Sequence, residues 1–214
     1  MKKNIYNFVS NDDLRPAYMG VFHDGENKVA VASDFRILLL SKPDYNEQLV
    51  NAARHSYDKD GHEITTQSFQ HYIGCLSEGR RLYKDHGKDV VGHLNAKAIK
   101  KATEVLKELK EQVQEAQAEL GQKRRPNSYI YVRVGKGWFN AKYLSKLLPY
   151  FGDGAEVITP NNYRAAYLKN DDYEAIIMPA QLSDRLQLDE NVVAVVGAWT
   201  DAIDLRRYVT ENEL

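Results

Sequence analysis

Six histidines, a single cysteine and a few neighbouring acid pairs are the side chains in this sequence best able to do chemistry, and their spacing does not support it. His23, His55, His62, His71, His86 and His93 are scattered through turn-rich stretches, and no two lie at the separation that places zinc ligands on one helix face. They are expected to face solvent. Cys75 has no partner for a bridge and reads as a small apolar core residue. Asp12-Asp13 and Asp171-Asp172 are adjacent within turns, so their carboxylates diverge. The run Asp58-Lys59-Asp60-Gly61 fails as a calcium loop, because Ser56 falls at the first ligand position and Gln67 where a bidentate glutamate belongs. Gly135-Lys136-Gly137 lacks both the third glycine and the Gly-Lys-Ser/Thr ending that would cradle a phosphate. With no Gly-x-Ser-x-Gly elbow either, the sequence predicts no catalytic residue, no metal and no cofactor, hence a protein that is not an enzyme. One alternative stays open, a site assembled in space from His55, His62 and His71.

These residues must be carried by a chain of 214 residues, long enough for a proper core without staples. Its 29 basic and 30 acidic residues nearly cancel, unlike a protein that coats nucleic acid. Nothing approaches the roughly 20 apolar residues of a membrane span, so a cytoplasmic protein with no membrane partner is expected. Charge is nevertheless uneven. Between Asn95 and Arg125 eight Lys/Arg face five Glu, whereas Ser183 to Leu214 holds seven acids against three arginines.

The first third reads as strands. Lys28 to Ala32 is apolar, follows the turn residues Asp24-Gly25-Glu26-Asn27, and pairs with Tyr18 to His23 as a hairpin; Ile37 to Leu40 gives a third run. Asp60-Gly61 suits a tight turn between strands at Asn51 to Tyr57 and His62 to Thr66. From about residue 96 to 121, Ile99, Ala102, Leu106, Leu109, Val113, Ala116 and Leu120 alternate by threes and fours, predicting a long helix with a heptad seam. Gly121 and Pro126 end it. Tyr129 to Val134 is a strand, Asn140 caps a short helix closed by Pro149, and strands follow at Ala155 to Ile158, Tyr163 to Lys169 and Tyr173 to Met178. Val192 to Val196 is one more apolar run, before an amphipathic end over Ala202 to Val209.

Two stretches resemble the bacterial DNA polymerase III beta subunit, the sliding clamp. Leu14-Arg15-Pro16-Ala17-Tyr18-Met19-Gly20-Val21, continuing to Val31-Ala32-Ser33-Asp34-Phe35-Arg36-Ile37-Leu38, is similar to the family's L-R-P-x-L-x-G-V and V-A-T-D-G-H-R-L pair. Phe139-Asn140-Ala141-Lys142-Tyr143-Leu144 with Leu148, and then Ile177-Met178-Pro179-Ala180-Gln181-Leu182, resemble F-N-x-x-Y-L-x-x-x-L and V-M-P-M-R-L in the same order. Where the family has Gly-His-Arg this chain has Phe35-Arg36-Ile37, and Met-Arg-Leu becomes Ala180-Gln181-Leu182.

The resemblance implies an α+β, DNA-clamp-like domain of two β-α-β-β-β halves over residues 1–182, a single-domain relative of a family with three such domains. Residues 43–126 would then be an insertion carrying the long helix, and 183–214 a C-terminal extension. It further implies a replication accessory protein that tethers to double-stranded DNA without sequence specificity. Lys142, Lys146 and Arg36 would meet phosphates, and Leu38, Ile176 and Met178 match apolar positions of a pocket for peptides of replication proteins. One domain would have to form a homo-oligomer to encircle DNA, and Ile99, Leu106, Leu109, Val113 and Leu120 are the residues that would join the copies. The alternative is an interaction adaptor that keeps the clamp fold without encircling DNA.

Overall fold

Asp24 shows how the first sheet begins: its Oδ1 accepts hydrogen bonds from the amides of Glu26 and Asn27, folding the chain back between β1 (Val21–Asp24) and β2 (Val29–Ser33). A second tight turn leads to β3 (Ile37–Ser41). In the computed structural model, residues 3–12, 14, 18–50, 56–57, 59–64, 72–85, 90–182 and 188–214 are described. His55, His71, His86, Arg15 to Ala17 and most of the two strands expected around Asp60-Gly61 lie outside them; β4 (Ser56–Tyr57) and β5 (Glu63–Ile64) are the described parts of that hairpin, paired antiparallel.

Two sheets are formed. The larger runs β5-β4-β1-β2-β3-β11-β10-β9-β6, where β6 is Val91–His93, β9 Glu156–Ile158, β10 Ala166–Lys169 and β11 Tyr173–Ile177. The smaller runs β13-β12-β7-β8, with β7 Asn127–Val134, β8 Gly137–Asn140, β12 Val192–Trp199 and β13 Asp204–Thr210. Strands β2, β3 and β11 are buried on both faces, which is why they read as continuous apolar runs instead of alternating.

On one side of the sheets lie α2 (Ala96–Glu119) and α3 (Ala141–Phe151), enclosing the main core with Phe8, Leu39, Leu94, Val132, Phe139 and Ile177. On the other side α1 (Tyr72–Asp85) covers the larger sheet through Tyr72 and Leu76 against Phe22, Val31, Leu40 and Tyr167. Asn95 caps α2, accepting from the Ala98 amide at 2.8 Å, and Asn140 caps α3, accepting from Lys142 at 2.9 Å. Pro149 does not close α3 as expected. The helix continues to Phe151 and stops at Gly152, whose φ of 88° suits glycine.

The connectivity resolves into two β-α-β-β-β units that exchange their first strands. One is β8-α3-β9-β10-β11; the other is β6-α2-β7 completed by β12-β13, with the first unit lying between β7 and β12 in sequence. Strand β6 joins the meander β9-β10-β11, and β8 joins β7-β12-β13. Where β6 meets the β7–β8 turn the backbones touch: a Cβ on Gly92 would lie 2.4 Å from the Gly135 amide nitrogen.

This corrects the expected boundaries. The segment 43–126 supplies a strand and a helix of the common core, so it is not an insertion as a whole. The tail 183–214 supplies the meander that α2 lies upon, so it is no appendage, and its expected amphipathic end is strand β13. The first meander, β1-β2-β3, is added to the larger sheet by pairing of β3 with β11.

The oligomer seam is also corrected. Ala98, Ala102, Val105, Leu109, Val113 and Gln117 are the buried side of α2, a stripe that advances faster than a strict heptad. Ile99, Leu109 and Val113 are therefore core residues within the chain, Leu106 sits at its flank, and Leu120 is exposed. Among the described residues, no helix is long and apolar enough to cross a membrane.

Candidate functional site

The turn between β2 and β3 is built from Ser33, Asp34, Phe35 and Arg36. Asp34 Oδ1 accepts from the amides of Arg36 and Ile37, both at 3.1 Å, while Ser33 Oγ accepts from Phe35 and donates to the Ile37 carbonyl. These bonds hold Phe35 at φ 71°, a left-handed conformation that costs a side-chain-bearing residue about 1–2 kcal/mol. The ring is held over Tyr18, with centroids 3.8 Å apart. The resemblance aligned Phe35 with a glycine, and the backbone here has kept the glycine-like geometry.

Beside this turn, the β3–β11 pairing sets Leu38 directly opposite Ile176, and the Met178 amide donates to the Arg36 carbonyl at 2.8 Å. The result is an apolar pocket of about 160 Å³ between Leu38, Ile176, Met178, Phe35, Tyr18 and the first turn of α1. All three apolar residues singled out in the sequence thus meet in one cavity. Met178 is 45% exposed and forms its rim, whereas Leu38 and Ile176 form its floor.

The third wall was missed in the sequence. Tyr72 and Cys75 of α1 face the same cavity, so Cys75 is exposed and not the core residue expected. Tyr72 is fixed from below: its hydroxyl donates to Asp24 Oδ2 at 2.6 Å and accepts from Asn27. Burial and the Asp24 carboxylate push its phenol well above the ordinary range. Burial also works to raise Asp24, but the hydrogen bonds from Tyr72, Asn27 and Glu26 outweigh it and leave that carboxyl below its usual value.

Further along α1, Arg80 reaches Glu174 on β11 through two bonds, Nε to Oε2 at 2.7 Å and Nη2 to Oε1 at 3.1 Å. Tyr167 donates to the same carboxylate at 2.5 Å. Gly79 brings the helix down at this point, since a Cβ there would stand 2.5 Å from the Tyr167 ring. This buried cluster locks α1, and with it one wall of the pocket, onto the sheet.

On the opposite side of the Phe35 turn lies a polar cleft of about 860 Å³, lined by Arg36, Lys142, Lys146, Asp12 and Asp34 among others. The structure thus brings together the three cations read as phosphate contacts, but their states differ. Lys146 Nζ lies 3.7 Å from Asp34 Oδ2 and over the Tyr143 ring; burial lowers its pKa, against the pull of Asp34. It is committed to the fold. Lys142 and Arg36 are exposed, and the Arg36 guanidinium has no hydrogen bond or ion pair among the described residues.

The histidine alternative gains no geometry. Of its three residues only His62 is described, and it is exposed; His23, expected at the surface, is buried, with Nδ1 accepting from the Asn46 amide and its pKa lowered by burial to about 4. Among the described residues no three His, Cys, Asp or Glu side chains come together as a metal site.

The strained turn makes a test of its own. Phe35→Ala keeps the left-handed backbone and loses the Tyr18 contact, and is expected to cost about 1–2 kcal/mol. Phe35→Gly relieves the backbone and should unfold about 1 kcal/mol later than the alanine variant in urea. The reverse order would show that the turn is not strained.

No protein-family model and no curated protein matches the chain. Solved structures do. The crystal structure of the C. crescentus beta sliding clamp superposes with a TM-score of 0.54 at 12% identity, over 83% of this chain and 62% of that one. The sliding clamp of Bacillus subtilis (TM-score 0.44, 13% identity, 84% of this chain and 60% of that) and the DNA polymerase III subunit beta of Borrelia burgdorferi (0.42, 10%, 84% and 60%) are also similar. The chain spans less than two thirds of the length of each. The superposition on the C. crescentus protein and the paired β-α-β-β-β units lead to one conclusion: this chain has the α+β fold of a bacterial beta sliding clamp.

Proposed function

We propose that this protein is a replication accessory factor that docks short peptide segments of replication proteins in the apolar pocket at the β3–β11 seam. The observation that supports this reading is the convergence of Leu38, Ile176 and Met178, distant in sequence, on one open cavity walled by aromatic rings. A preformed apolar concavity with a polar neighbour is the usual setting for a peptide anchor. The C. crescentus clamp offers a parallel, having been crystallised with polyethylene glycol bound to a region proposed to tether the beta-motif.

The test is fluorescence anisotropy with labelled peptides carrying a leucine pair. Met178→Glu places a charge on the exposed rim without disturbing the floor, and should weaken binding at least about tenfold while leaving the melting temperature unchanged. Unaltered affinity in that variant would sink the docking reading.

A second reading, DNA tethering by an oligomer, is favoured by the charges of α2. Lys97, Lys100 and Lys101 crowd its positive N-terminal end, and Glu111, Glu115 and Glu119 its negative C-terminal end. This runs against the helix dipole, so the lysines are not placed there for helix stability. Strand β13 is an edge of the smaller sheet, available for pairing with another copy. Solution mass and retention on closed circular against linear DNA test it; a monomer without salt-sensitive DNA affinity would refute it.

A further inference from the structure

The pocket and the polar cleft are two separate cavities, yet they share two residues, Phe35 and Arg36. The turn is the wall between them. Its left-handed backbone presents an aromatic ring to the apolar side and leaves the next side chain, Arg36, facing the polar side.

The charges around that cleft are unequal in availability. Asp34 is held by two backbone amides and by Lys146, and Asp12 accepts from the Leu14 amide at 3.1 Å. Arg36 and Lys142 are exposed, and neither side chain is joined to another described residue by a hydrogen bond or ion pair. A guanidinium placed at the lip of an apolar pocket offers a planar fork of donors, which suits a carboxylate better than any neutral group.

We infer that the Phe35–Arg36 turn makes the site selective for peptides in which the apolar anchor stands next to an acidic residue, the anchor entering the pocket and the carboxylate lying on Arg36. The inference rests on the docking reading and adds to it the chemistry of the partner. Because both cavities are bounded by the same two residues, the step from one to the other is a single residue of extended peptide, about 3.3 Å. The selectivity is electrostatic at an exposed site, so it must shrink as salt rises.

The full chain is titrated against three labelled peptides that differ only in the residue beside a leucine pair: aspartate, asparagine or lysine. The aspartate peptide should bind about tenfold more tightly than the asparagine peptide, and the lysine peptide most weakly. In Arg36→Gln the aspartate and asparagine peptides should converge to within about twofold, with the asparagine affinity unchanged. Equal binding of both to the natural protein, with Met178→Glu abolishing both, overturns the acidic selectivity and leaves docking standing. Failure of all three to bind up to about 1 mM overturns both. If the aspartate preference survives in Arg36→Gln while binding of a short DNA duplex weakens, Arg36 serves phosphates and the inference is wrong.

Discussion

Leu109→Ala is expected to lower the unfolding free energy by about 2–4 kcal/mol, and by the same amount at every protein concentration. Leu109 is 7% exposed and lies on the face of α2 that packs against the smaller sheet. Truncation removes buried apolar surface and leaves a cavity that the surrounding strands cannot fill, because they are pinned by pairing on both sides. Leu120 belongs to the same heptad in the sequence but is 59% exposed, and Leu120→Ala should change stability by less than about 0.5 kcal/mol. Urea unfolding at several concentrations separates the cases. If both variants instead shifted a monomer–oligomer equilibrium, α2 would be an assembly helix after all.

That contrast shows where the sequence was legible. Regular patterns within one element were readable: the apolar runs of β2 and β3, the capping asparagines, and the existence and length of α2. The partner of α2 was not, because a seam of period near 3.5 and a stripe of period near 3.6 share most of their residues over three turns, and Ile99, Leu109 and Val113 fit both. The exchange of β6 and β8 between the two units was equally hidden. A three-residue strand such as Val91–His93 carries too little pattern, and its pairing with β9 is decided by closure of the whole core.

The pocket divides in the same way. Leu38, Ile176 and Met178 could be named through the resemblance, but the α1 wall could not. Two glycines within the 14 residues of α1 speak against a helix by propensity, although Tyr72, Leu76, Gly79 and Tyr83 recur at helical spacing. The structure supplies the reason. Gly79 is the contact point with Tyr167, so a residue that weakens the isolated helix is what lets it dock.

Docking of α1 depends on a buried charge, which leads to the second large effect. Arg80→Ala is expected to cost about 2–3 kcal/mol at neutral pH, below the full value of a buried pair because the Arg80 side chain is 38% exposed. The loss comes less from the missing attraction than from Glu174, left with a 12% exposed carboxylate and only the Tyr167 hydroxyl as donor. In the natural protein burial works to raise the Glu174 carboxyl, but Arg80 and Tyr167 overcome it and hold it below the ordinary 4.5. A lowered folded value means that this group stabilises the fold above pH 4.5, and that the contribution disappears as pH falls through the folded value. Removing Arg80 leaves burial dominant, so the carboxyl rises above 4.5 and the variant gains relative stability as the acid protonates. The deficit of Arg80→Ala should therefore be largest near pH 7 and narrow by more than half near pH 4. Glu174→Gln, which leaves a partly exposed Arg80 free to turn to water, should cost only about 1 kcal/mol and show no such narrowing. Because α1 carries Tyr72 and Cys75, peptide binding should fall in Arg80→Ala and recover in part at acid pH. A deficit independent of pH would mean that the Glu174 carboxylate is not what holds the wall of the pocket in place.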